Sequence, residues 1–182
     1  GTPADGIHHP MPPGWVRGYA DSIDWRWVEG SVAQAGPATV WMRPRVPLID
    51  GEALSPLQRV LACVDSASGI GAELDLRAWD FRNTDLTVHI VRPPEGEWVA
   101  LAASTLLAGT GAGLARATLY DERGVIGAYL IGLAAISAFV ATGAMLATRM
   151  LLETAAGETR LRAVGVVVSV VGAVMLMVGL VA

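Results

Sequence analysis

The chain has 182 residues, of which 53% are hydrophobic and only 16% are charged, and its mean hydropathy is +0.47. This composition excludes a disordered chain, a collagen-like repeat and a single ordinary soluble domain. The formal net charge is −4, all 13 basic residues are arginines, and no basic patch is visible, so we expect no nucleic-acid partner.

The first residues predict a linker. Residues 1–14 contain four prolines and three glycines, which leave no room for a helix or a strand ladder. His8 and His9 are adjacent in this segment, and the three histidines of the chain show no metal-ligand spacing. We therefore expect no metal and no cofactor. The single cysteine, Cys63, excludes an internal disulfide and is interpreted as a small core residue.

Two strands and a helix follow. Trp- and Val-containing runs over Asp24–Gly30 and Ala38–Arg43 flank a Gly/Pro turn and predict a hairpin. Ser55 is a favourable N-cap residue, and Pro56 suits the first helical position. Apolar residues then recur at helical spacing, and Gly69 or Gly71 is expected to end this helix.

Alternating runs with turn residues between them predict an antiparallel sheet. The predicted strands are Leu74–Phe81, Thr84–Val91, Trp98–Leu107 and Leu114–Tyr120. Two strands, one helix and at least four further strands make an α+β arrangement in which the sheet wraps a central helix.

One carboxylate lies beside the apolar stripe of the predicted helix. Asp65 comes four residues after Leu61 and one after Val64. We expect it to be partly desolvated there, a setting that favours use as a base. The alternative is that Asp65 only caps the helix or bonds a neighbour.

The ordered motifs of this region resemble the C-terminal hotdog domain of acyl-CoA thioesterase II-like proteins of actinobacteria, in the thioesterase superfamily. The resemblance covers roughly 110 residues in register and implies a hotdog fold, an antiparallel sheet around one helix. The segments that carry it are GYADSIDWRW at 18–27, WMRPRVP at 41–47, SPLQRVLACVD at 55–65, SGIGAEL at 68–74, FRNTDLTVH at 81–89, RPPEGEW at 92–98 and LARATLYDERG at 114–124.

The resemblance implies hydrolysis of fatty acyl-CoA thioesters by a water held by three polar groups. The Asp of the hotdog helix corresponds to Asp65, which would act as general base, and the polar group that begins a strand corresponds to Asn83, which would orient the water. Backbone N–H groups near a helix N-terminus are expected to hold the oxyanion. The third group, a Gln on the last strand, is not present, since residues 129–132 read Tyr-Leu-Ile-Gly.

Two further expectations concern partners. Such enzymes carry two hotdog units whose sites form where the units meet, so a second unit is expected, either a second copy or a missing N-terminal half. The absence of the Gln keeps open a second hypothesis, a non-catalytic acyl-binding or assembly subunit.

The last third of the chain predicts a membrane tail. Every Pro and Trp lies before residue 99, and Gly124–Thr148 and Ala163–Ala182 carry no charge. We predict a hotdog domain over 15–132 and a two-helix transmembrane hairpin over 133–182 that contacts the lipid bilayer. The three arginines of the loop Arg149–Arg162 slightly favour a cytoplasmic loop, which would place the folded domain outside the cell. Coenzyme A, however, is a cytoplasmic cofactor. The expectation is therefore a cell-membrane protein with its folded domain in the cytoplasm.

Overall fold

The structure is a computed structural model, and it describes residues 1–12, 18–75, 78–109 and 111–137. In these ranges strands predominate and helices are short. In chain order the elements are a 3₁₀ turn (Pro3–Asp5), α1 (Gly18–Asp21), β1 (Ile23–Glu29), β2 (Ala38–Pro44), α2 (Pro56–Val64), α3 (Ala67–Ile70), β3 (Trp79–Ile90), β4 (Val99–Leu107), β5 (Ala112–Asp121) and β6 (Gly124–Ser137).

The strands form one antiparallel sheet in the order β1-β2-β4-β5-β6-β3. Both α2 and α3 pack against its central strands. Val60, Cys63 and Val64 of α2 are fully buried in the core that helix and sheet share. An antiparallel sheet packed around a central helix is therefore confirmed, and Cys63 is the small core residue that the sequence predicts.

The helix begins as predicted but ends early. The Ser55 hydroxyl accepts a hydrogen bond from the Gln58 backbone N–H, the Gln58 side chain accepts one from the Ser55 N–H, and Pro56 is the first helical residue. However, α2 stops at Val64 and α3 follows after Asp65 and Ser66. Asp and Ser are poor helix formers because their side chains compete for backbone hydrogen bonds. The single helix expected to reach Gly69 or Gly71 is thus two helices.

Gly71 allows the end of α3 to approach the sheet closely. A Cβ at this position would lie 2.7 Å from the carbonyl carbon of Ala103 and 2.8 Å from the backbone of Ser104 in β4. No side chain fits at that separation. The close approach sets the distance between the sheet and the α2–α3 junction, which contains Asp65.

The N-terminal segment differs from the predicted linker over its described residues 1–12. Ile7 and Trp27 exchange two backbone hydrogen bonds of 2.8 Å, which extends the β1 edge of the sheet by one bridge. The Trp41 indole donates a hydrogen bond of 3.1 Å to the Gly1 carbonyl, and Met11 packs on the core. The prolines exclude a ladder, but they do not exclude these single contacts.

The predicted strands Leu74–Phe81 and Thr84–Val91 are not separate. Trp79–Ile90 forms one strand, β3, while Leu74 and Asp75 lie outside it. The break in side-chain alternation, from which the sequence predicts two strands, is a β-bulge between Asn83 and Asp85. β3 is an edge strand with β6 as its neighbour in the described sheet.

The last strand is longer than predicted. β6 runs to Ser137, five residues beyond the expected boundary at Gly132. The predicted hairpin over 133–182 therefore shares residues 133–137 with β6, and its remainder, 138–182, lies outside the described residues. Among the helices of the described ranges, none has the length and apolarity needed to span a bilayer.

An ion pair locks the turn between β5 and β6 to the end of β3. Both Asp121 oxygens accept hydrogen bonds from the Arg92 guanidinium, and the backbone N–H groups of Glu95 and Arg123 also donate to this carboxylate. Arg92 donates in turn to the carbonyls of Gly124 and Val125. Asp121 is only 2% exposed. The Arg92 hydrogen bonds lower the pKa of Asp121 to about 2 from an ordinary 3.8.

We predict that Asp121→Asn lowers the free energy of unfolding by about 2 kcal/mol or more at pH 7, because Arg92 loses its anionic partner. The folded-state pKa lies below the unfolded value, so this stabilisation is complete above about pH 4 and is lost as the pH falls toward 2. Urea unfolding of the wild type and Asp121→Asn between pH 2 and 7 measures the free energy of unfolding of each protein. The difference between these two free energies should be smaller by about 2 kcal/mol at pH 2 than at pH 7. A constant difference would contradict the prediction, and Glu122→Gln, at the exposed neighbouring position, serves as the control.

Candidate active site

Asp65 lies at the junction of the two helices, where α2 ends and α3 begins. It is the C-cap residue of α2, and its side chain is exposed. The expected partial desolvation of Asp65 is therefore not found in this single unit. The helix ends at Val64, so Asp65 lies at its end rather than on its flank. The capping role that the sequence left open is observed.

Asn83 faces the same junction because of the bulge in β3. Val88 packs against the core, so strict alternation would turn residues 86 and 84 inward and Asn83 outward. However, Asp85 pairs with Gly132 while Asn83 pairs with the next residue of β6, Leu133. Thr84 is thus an extra residue in β3, and it reverses the side of the sheet on which Asn83 lies.

The two predicted site residues form a direct hydrogen bond. The Asn83 amide nitrogen donates to Asp65 Oδ1 at 2.6 Å and lies 3.3 Å from the Asp65 backbone oxygen. Asn83 thereby holds both the carboxylate and the last carbonyl of the helix junction. A carboxylate fixed at one oxygen can still accept hydrogen bonds from a water at the other.

A cavity of about 580 Å³ opens beside this pair. Its lining includes the polar side chains of Asp65, Asn83 and Arg82. It also includes Trp25 and Trp27, whose rings stack with centroids 6.2 Å apart. The remaining lining residues are Met11, Tyr19, Ala20, Val32, Ala62, Ser66, Ser68, Gly69 and Ile70.

Tyr19 belongs to the site, although nothing in the residue spacing indicates it. Its hydroxyl donates to the Ala62 carbonyl at 2.7 Å and shares a 2.7 Å hydrogen bond with the Ser66 hydroxyl. About half of the Tyr19 surface is exposed, but its hydroxyl end is desolvated against the helices, which raises its pKa well above the ordinary value. Tyr19 stays neutral and ties α1 to the helix junction.

Tyr129 of β6 lies near Asp65, but its hydroxyl bonds none of the described residues. Its side chain is 1% exposed, and its hydroxyl has no hydrogen-bond partner in the described part of the chain. Burial raises the pKa of this hydroxyl far above its usual range, and the negative charge of Asp65 adds to the effect. The hydroxyl is therefore neutral at any physiological pH.

The N-terminus of α2 is not adjacent to the Asp65–Asn83 pair, so it is not the source of the expected oxyanion donors. α2 has nine residues, so its N-terminus lies about 13 Å from Asp65 at about 1.5 Å per residue. Within the described ranges no group of three or more His, Cys, Asp or Glu residues could hold a metal ion.

Comparison with known protein families shows to which family the chain belongs. The model of the acyl-CoA thioesterase C-terminal domain family matches residues 3–129, about 70% of the chain. The chain belongs to this family. The predicted resemblance is thus confirmed, and the family match includes both Asp65 and Asn83. A comparison with curated proteins found no match.

One solved structure, aligned with a TM-score above 0.5, supports the fold of this family member, and two further alignments are similar in extent. A conserved protein of unknown function with a hot dog fold from Alicyclobacillus acidocaldarius aligns at 15% identity and a TM-score of 0.56, over 75% of this chain and 53% of that one. Acyl-CoA thioesterase II TesB2 from Mycobacterium marinum aligns at 20% identity and a TM-score of 0.47, over 73% and 56%. A TesB protein of Mycobacterium avium subspecies paratuberculosis aligns at 13% and 0.48, over 71% and 56%. The chain spans about half the length of these proteins.

We predict an energetic coupling between Asp65 and Asn83. A double-mutant cycle of Asp65→Ala, Asn83→Ala and the double variant, measured by urea unfolding at pH 7, should give about 1 kcal/mol, because the hydrogen bond is charge-assisted but exposed. Effects that add to within about 0.3 kcal/mol would contradict the observed hydrogen bond.

Proposed function

We propose that this domain hydrolyses fatty acyl-CoA thioesters, with Asp65 as general base and Asn83 as the group that orients Asp65 and the attacking water. The observation that carries the proposal is the 2.6 Å hydrogen bond between these residues in the lining of a largely apolar cavity. The cavity supplies a place for an acyl chain, and the pair supplies a fixed carboxylate beside it. The family to which the chain belongs supports this reaction class.

The proposed reaction balances without a cofactor. Asp65 takes a proton from the water while the water oxygen attacks the thioester carbonyl carbon, giving a tetrahedral intermediate. When this intermediate collapses, the carbon–sulfur bond breaks, and the departing thiolate takes the proton back from Asp65. The products are the free fatty acid and coenzyme A, and Asp65 is again a carboxylate.

A second hotdog unit would complete this site. Asp65 is exposed in the single unit, and the free edge of the sheet at β3 carries Asn83. Backbone groups along a free edge are available for pairing with another strand. We propose that a second unit, either another copy of this chain or a preceding half of a longer chain, pairs along β3 and covers Asp65.

The C-terminal segment is proposed to tether the domain to the cytoplasmic face of the cell membrane. Because β6 reaches Ser137, only 11 uncharged residues remain before Arg149, fewer than the about 20 that a spanning helix needs. Ala163–Ala182 keeps an uncharged run of 20 residues. This run, rather than the first half of the predicted hairpin, is therefore the favoured anchor.

The tether predicts a difference in fractionation. The full chain should stay with the membrane after an alkaline carbonate wash, whereas a chain ended at Arg162 should be released. Full chain in the supernatant would contradict the tether, and digestion of the domain by protease added outside intact cells would contradict the orientation.

The catalytic proposal predicts that Asp65→Asn lowers kcat by about 10²-fold or more, because the water loses its base. Release of the coenzyme A thiol from acyl-CoA substrates measures the rate. Asp50→Asn removes the same charge from an exposed turn and should leave the rate unchanged.

The alternative, a non-catalytic acyl-binding or assembly subunit, is favoured by the absence of a Gln from residues 129–132, where the resemblance places one. Saturable acyl-CoA binding without hydrolysis, even with a second hotdog unit supplied, would support it. Equal hydrolysis by the wild type and Asp65→Asn would contradict the assignment of Asp65 as the base.

A further inference from the structure

The buried hydroxyl of Tyr129 has no structural use in the single unit. A phenol removed from water without a hydrogen bond destabilises a protein, by about 1–3 kcal/mol. The Tyr129 ring fills the core beneath the helices, a task that a phenylalanine would perform equally well. The hydroxyl is thus a donor for which the described residues provide no acceptor.

The strand pairing places this donor on the same side of the sheet as Asn83. Tyr129 pairs with Val88, which packs on the core, and the bulge turns Asn83 to that side as well. β3 and β6 are neighbours, so Asn83 and Tyr129 lie on the side of the sheet that carries the core. The electrostatic influence of Asp65 on the Tyr129 hydroxyl agrees with this placement.

Asp65 is an exposed hydrogen-bond acceptor, and Asn83 binds only one of its two oxygens. The Tyr129 hydroxyl is a buried donor with no partner among the described residues. A carboxylate that a second unit covers loses its water and needs donors in return. A neutral phenol beside it meets that need.

We propose that Tyr129 is a positioning residue for Asp65, whose hydroxyl donates a hydrogen bond to the second carboxylate oxygen when the site is assembled. This inference rests on the proposed function. Asn83 and Tyr129 would then hold the base from β3 and β6, and the phenol would favour the charged carboxylate that accepts the proton of the water. The destabilising buried hydroxyl is retained because the assembled site uses it.

The test is Tyr129→Phe, which removes only the hydroxyl, in the full chain. The acidic limb of the kcat/KM profile should move about one pH unit or more toward neutrality, because the charged carboxylate loses a donor. The KM should stay the same, because Tyr129 is not proposed to contact the substrate. Among the described residues, the other titratable or charged side chains that line the cavity with Asp65 are Tyr19 of α1 and Arg82 of β3, and the variant leaves both in place.

A second readout does not depend on activity. Titration of the aspartate carboxyl carbons by ¹³C NMR, with Asp65 assigned from Asp65→Asn, should show the Asp65 midpoint rising by a similar amount in Tyr129→Phe. Tyr120→Phe removes a phenol from the neighbouring strand β5 and should change neither midpoint nor rate. An Asp65 midpoint and an acidic limb that stay unchanged in Tyr129→Phe would overturn the inference. Equal rates for the wild type and Asp65→Asn would instead overturn the proposed function, while the NMR midpoint still decides the role of Tyr129.

Discussion

The extra residue in β3 is the constraint on which the candidate site depends. Side chains alternate strictly along a strand, and with that alternation Asn83 would face away from the helices. Thr84 interrupts the alternation, so that Asn83 and Val88 lie on the same side of the sheet. The end of α2 supplies the other half of the pair, because the helix stops where Asp65 and Ser66 follow Val64. Two local irregularities, one in a strand and one in a helix, thus bring an amide and a carboxylate to 2.6 Å.

The regular parts of the fold could be predicted from local sequence, and the irregular parts could not. Ser55 and Pro56 indicate the start of α2, because capping is a local interaction. The local sequence predicts a gap between two strands at the bulge in β3, since only the pairing with β6 shows that the strand continues. The position of Asp65 in the sequence indicates a candidate base, and the family resemblance adds Asn83, whereas Tyr19 bonds residues more than 40 positions away and leaves no local pattern. The bridge from Ile7 to Trp27 is equally non-local.

The single unit contains the parts of a site but not its enclosure. Asp65 and Asn83 are hydrogen-bonded and the cavity beside them is largely apolar, yet Asp65 remains exposed and the β3 edge is free in the described sheet. The Tyr129 hydroxyl is the opposite case, because it is buried and has no hydrogen-bond partner among the described residues. Both imbalances would be corrected by the same event, the pairing of a second unit along β3. The proposed catalysis and the proposed assembly are therefore one physical argument, and the Arg92–Asp121 pair matters to it because it joins β6 to the end of β3.

A structure of the full chain with a non-hydrolysable acyl-CoA analogue would test the roles of Asp65 and Asn83. If Asp65 is the base, the carbon in place of the thioester carbonyl should lie within about 3.5 Å of a water bound to Asp65. Asn83 should still donate to this carboxylate, and the acyl chain should lie against Trp25 and Trp27. An Asn83 on the outer face of the sheet, or an analogue bound with its reactive carbon away from Asp65, would contradict these roles.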